Sequence, residues 1–143
     1  MKELTPEITL EKHYKLWNAI KEEEEKLRAN DPNIAGNEIY IFRDSFKTYW
    51  CKQKGEKLLN DCYLCEYAYQ RTEGKSPIED QYGVYVAMDD TKRQHCLLKW
   101  KGDPFCEKRE DGMGTDWRYS PIDEILSLPI NEEEIKNYHA ENT

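Results

Sequence analysis

The chain has 143 residues, with 29 acidic against 21 basic side chains and a formal net charge of -8, about one domain's worth of polypeptide with a modest core to bury. That acid surplus excludes whole-surface attraction to nucleic acid, which needs phosphate-neutralising cations, and no apolar run of about 18 residues is present to span a membrane. Hydrophobic residues make up 38% and charged residues 35%, an apolar supply thin enough that a metal staple would help the core.

Met1-Lys2-Glu3 leads into polar sequence and not into a signal peptide's apolar run, so the expected setting is cytosolic. Thr5-Pro6-Glu7 then supplies an N-cap, a proline at the first helical position and an acid in the first turn. A helix is predicted to about Ala29, with Leu10, Tyr14, Trp17, Ile20 and Leu27 forming a stripe broken by Glu24. The run 22–25, with Lys21, Lys26 and Arg28 nearby, reads as a solvated face. Asn30-Asp31-Pro32-Asn33 stops the helix, and the apolar run 38–42 is either a strand or a buried turn. A second helix is expected from Asp44 or Ser45 to Gly55, locally basic through Arg43, Lys47, Lys52 and Lys54.

Asn60-Asp61-Cys62-Tyr63-Leu64-Cys65 is the stretch with the strongest chemical signature, since two thiols separated by two residues offer half of a tetrahedral metal site. The other half is expected from Cys96 and Cys106, with turn formers Gly102 and Pro104 between them. This predicts zinc on Cys62, Cys65, Cys96 and Cys106. The plainer reading is that some of these are buried free thiols, as Cys51 beside Trp50 is expected to be. Five cysteines, an odd count with one close pair, fit reduced thiols and metal better than a disulfide framework.

A short helix is expected from Glu66 to Thr72, ended by Gly74, then a strand over 81–88. Lys92, Arg93 and Lys99 bracket Cys96 with no acid between them and, with Trp100, form a candidate basic-aromatic patch for an anionic ligand or partner. The pair Gly112 and Gly114 lacks the third glycine of a dinucleotide fingerprint. Ser120-Pro121 opens a helical stretch through Leu126, and 131–143 is an acidic tail or short terminal helix. No phosphate loop, His-Glu-x-x-His or nucleophile elbow occurs. Of the three histidines, His13 reads as structural, His139 lies in the tail and His95 touches the metal loop. Four thiolates would leave zinc no open position for water, so a structural metal is expected and no catalytic residue is assigned.

The frame of His13, Trp17 and Ile20, then Cys62-Tyr-Leu-Cys65-Glu66-Tyr67-Ala68, then Cys96-Leu-Leu-Lys99-Trp100 and Cys106 resembles a family of small, largely uncharacterised bacteriophage proteins. Two positions depart from that family's pattern: Arg93 stands where it has another cysteine, and Leu97 replaces a proline. The resemblance implies a phage-encoded zinc protein in the cytoplasm of an infected bacterial host and brings no agreed activity. The expected fold is α+β, mainly α, with a long N-terminal helix packed on a zinc-stapled loop pair and a small β element. Residues 1–130 form one domain in this reading. The expected function is an interaction protein, not an enzyme, that binds and inhibits a host factor, of a counter-defence (anti-CRISPR-like) kind. The alternative is a protein that sequesters a nucleotide-type anion, or contacts nucleic acid, through Lys92, Arg93, Lys99 and Trp100.

Overall fold

Thr5 begins the first helix as expected: its hydroxyl accepts the Ile8 N–H (3.2 Å) and Pro6 follows it. In the computed structural model of the chain, which describes residues 3–74, 90–100, 106 and 115–142, this helix (α1) spans Pro6–Asn30. Its buried stripe is Pro6, Thr9, His13, Leu16, Trp17, Ile20 and Glu24. Leu10, Tyr14 and Leu27 lie only partly buried at its edge. The stripe is thus rotated from the apolar one, because Arg43 of another helix meets the Glu24 carboxylate and the Thr9 hydroxyl donates to the Thr5 carbonyl one turn back.

Glu24 corrects the reading of 22–25 as a wholly solvated face: it is 3% exposed and grips Arg43. Arg43 belongs to α2, which runs Gly36–Lys54. The run 38–42 is therefore helical from its start and neither strand nor turn. Gly55 closes α2 at φ 67 and Gly74 closes α3, Tyr63–Glu73, at φ 77, both in the left-handed region that glycine enters at little cost. Between α2 and α3 lies a single 3₁₀ turn, Leu59–Asp61.

Short helices α4 (Asp90–Arg93) and α5 (Ile122–Leu126) follow, and α6 covers Glu132–Glu141. The C-terminal segment is no loose tail: Glu134 and Tyr138 of α6 are buried. Helix α1 packs on α2, α3 and α5. The core joins Leu16, Trp17 and Ile20 of α1 to Tyr63, Leu64 and Tyr67 of α3, and to Leu97, Leu98, Ile125 and Leu128. Among the described residues, β pairing is limited to one isolated antiparallel bridge, Leu98 with Ile130. The strand expected over 81–88, the turn at 102–104 and the loop 107–114 lie outside the described residues. No helix among the described residues is long and apolar enough to cross a membrane.

Candidate metal centre

Asn60 and Asp61 both take positive φ, 56° and 50°, a conformation that Asn and Asp tolerate better than other side chains. This double reversal turns the chain so that Cys62 arrives as the N-cap of α3, its sulfur accepting the Cys65 N–H at 3.4 Å. Thr48 of α2 holds the turn by donating to Asp61 Oδ2 (2.7 Å). The two thiols of the Cys62-x-x-Cys65 pair therefore stand at a helix N-terminus, where the backbone favours a thiolate.

The remaining thiols come from distant segments. Cys96 follows α4, and its carbonyl accepts from the Asn131 side chain (3.1 Å). Cys106 is held through its carbonyl, which accepts the Trp117 N–H (2.9 Å). Cys62, Cys96 and Cys106 all pack against the hydrophobic core. The Cys65 thiol is raised well above the ordinary range, first by its hydrogen bond to Cys62, then by burial, then by the nearby charges of Cys62, Cys106 and Cys96. Cys96 and Cys106 thus lie within electrostatic reach of the Cys62 and Cys65 pair. The hydrogen bond from Cys65 brings Cys62 down to about 6, against its burial and with help from the Lys47 cation. Burial pushes Cys96 up to about 11.

Donor type and neighbourhood fit a soft, thiophilic metal such as zinc. Backbone N–H groups point at Cys62, and the Trp100 indole N–H, buried without a well-formed hydrogen bond, favours the thiolate of Cys96. A buried donor beside a sulfur gains most when that sulfur is ionised, as a metal ligand must be. The fit is one of chemistry and not of finished coordination. Among the described residues no three His, Cys, Asp or Glu side chains are already arranged to hold an ion.

Cys51 lies elsewhere in character, fully buried with its thiol pushed up to about 12 by burial and by Asp61. His13 is likewise buried, held down to about 3 by desolvation and by Lys47, and its Nε2 has no partner. Sequence reasoning missed Lys47, which is 5% exposed with its ammonium 3.8 Å from the Trp117 ring centroid. Its spacing of four from Arg43 and from Cys51 was the available signal.

The basic-aromatic patch is only partly assembled on the surface. Trp100 is 9% exposed and belongs to the core. Lys92 pairs with Glu73 at 3.6 Å and lies over the Tyr69 ring, Arg93 is half-buried, and Lys99 is exposed. The segment around Cys96 is instead tied to α6 and the segment before it. Lys99 N–H donates to Pro129 O and Asn131 N–H to Leu97 O, each at 2.8 Å. His95 Nδ1 meets Glu134 at 2.6 Å, and Arg71 of α3 reaches the same carboxylate at 2.7 Å.

No family model matches the chain, and no solved structure does. Among curated proteins it is similar to the catalytic subunit of DNA polymerase epsilon from Debaryomyces hansenii, 28% identical over 90 residues. That segment is 58% of this chain and 4% of the polymerase, so the chain spans a small fraction of that relative's length.

Proposed function

We propose that this chain is a zinc-stapled interaction protein, a small bacteriophage product that binds and inhibits a host factor and does not itself catalyse a reaction. The observation that carries the metal half is the Cys62 and Cys65 pair at the start of α3, with Cys96 and Cys106, from segments far apart in sequence, packed against the same core and within electrostatic reach of Cys65. Zinc bound there would link the start of α3 to two loop segments and would have no open position for water. The interaction half rests on the acidic charge of -8 and on an aromatic side chain that faces outward, Tyr119 at 52% exposure, since tyrosine is a favoured anchor at interfaces.

The test begins with metal analysis of protein purified without chelator, where one zinc per chain is expected, lost in Cys65→Ser and retained in Cys51→Ala. Wild-type protein is then used as bait in host lysate, and the captured protein's own activity is titrated with it. A chain that carries no zinc removes the metal half; a captured protein whose activity stays unchanged at saturation removes the inhibitor half.

A further inference from the structure

Helix α2 buries two cations and leaves apolar side chains in solvent. Its buried stripe, Ile39, Arg43, Lys47 and Cys51, hides two cations, while its outer side shows Ile41 at 60% and Tyr49 at 58% exposure. Phe42, Phe46 and Trp50 lie half-buried beside them, each with one side against the core, and the Trp50 indole N–H donates inward to the Tyr63 hydroxyl (3.1 Å). The rings form a continuous strip, with Phe46 lying 5.8 Å from Phe42, 6.1 Å from Tyr49 and 6.3 Å from Trp50, centroid to centroid. The outer edges of these rings, with Ile41 and Tyr49, form an apolar strip of the kind that a partner covers.

The ends of the strip say which partner. Residues four apart follow one ridge of a helix, and here the ridge reads Glu38, Phe42, Phe46, Trp50, Lys54. It carries an acid at one end, three aromatics, and a cation at the other. Glu38 and Lys54 are both exposed, and the Lys54 ammonium lies 4.9 Å from the Trp50 ring centroid, at the end of the strip. Reversed end for end about Phe46, the ridge sets Lys54 opposite Glu38 and Trp50 opposite Phe42. It is therefore complementary to a reversed copy of itself, the requirement of an isologous contact in which one patch serves both protomers. A nucleic acid would leave Glu38 against phosphate, and an acidic peptide would leave it against like charge.

We propose that α2 pairs antiparallel with α2 of a second copy of this chain, with Phe46 at the twofold axis and Glu38 facing Lys54 of the other copy at both ends. None of these residues is a candidate metal ligand, so the pairing stands apart from the zinc reading.

Sedimentation equilibrium on the full chain tests it. Wild type should dimerise. Glu38→Lys and Lys54→Glu should each loosen the dimer about tenfold, because exposed charge pairs worth a few tenths of a kcal/mol turn repulsive at both ends. An equimolar mixture of the two variants should dimerise again, since every end then meets its opposite, and the double variant should recover the wild-type constant. Far-UV circular dichroism confirms that each variant is folded. A wild type that stays monomeric up to the solubility limit overturns the proposal. So does a dimer whose constant is the same in both single variants and their mixture, which would put another face, or another occupant, at the contact.

Discussion

Arg43 shows how a single buried charge can join three parts of the chain. Fully buried, it donates to both carboxylate oxygens of Glu24 (2.8 and 3.2 Å) and to the carbonyls of Trp117 and Ser120 (3.0 and 2.9 Å). Its guanidinium also lies 5.9 Å from the Trp17 ring centroid. Removing Arg43 leaves the buried Glu24 with only the exposed Arg28 as partner (3.3 Å), so Arg43→Met should destabilise the protein by about 3 kcal/mol in urea unfolding. Replacing Glu24 at the same time, Arg43→Met with Glu24→Leu, should cost less than the single change, because no orphan charge remains.

His13 makes a pH prediction at the same scale. Its folded value is held down to about 3, first by desolvation and then by Lys47. The unfolded chain binds the proton near the ordinary histidine value and the folded chain does not, so between these two values stability falls as pH falls. The slope from this group should approach about 1.4 kcal/mol per pH unit. His13→Gln should flatten that part of the acid limb, measured by urea midpoints from pH 7 to 4; an unchanged limb would show that another group dominates it.

Among the elements, α6 has the least expected part. Its Glu134 is 5% exposed and receives Tyr67 and Arg71 from α3 and His95 from the segment before Cys96. Burial pushes this carboxyl upward, but the hydrogen bonds from Tyr67, His95 and Arg71 outweigh it and leave the group below the usual carboxylate range. With the folded value depressed, the stabilisation is complete above the unfolded carboxylate value and disappears as pH falls through the lower folded value. Glu134→Gln should lose about 1–3 kcal/mol at neutral pH and show a smaller loss on acidification. Because α6 reaches the residue next to Cys96, the same substitution should also make 96–99 exchange amide hydrogens faster, read by hydrogen-exchange mass spectrometry.

For the molecule as a whole, the zinc proposal makes stability depend on metal activity. A ligand that binds only the folded chain stabilises it by about 4 kcal/mol at a free concentration a thousandfold over its Kd. Chelation should therefore lower the unfolding midpoint of wild type by a corresponding amount. In Cys65→Ser it should change nothing, since that variant has already lost a ligand. A wild-type midpoint indifferent to chelator would remove zinc from the folding balance.

Local chemistry was enough to read those features whose cause lies within a few residues. Thr5-Pro6 begins α1, Gly55 and Gly74 end α2 and α3, and Cys62-x-x-Cys65 sits at a helix start, each because capping and positive φ depend on neighbouring backbone alone. The mainly helical class followed from the same signals. Only the tertiary structure decided which polar residues are inside. Glu24 and Arg43 are acid and base on separate helices, and each is buried where the other, with Arg28 and the carbonyls of Trp117 and Ser120, meets it. The same holds for α6, whose acidic sequence resembles a solvated tail until Tyr67, Arg71 and His95 supply the partners that let Glu134 leave water. Burial of a charge is a property of the pair, and a pair separated by tens of residues exists only once the chain has folded.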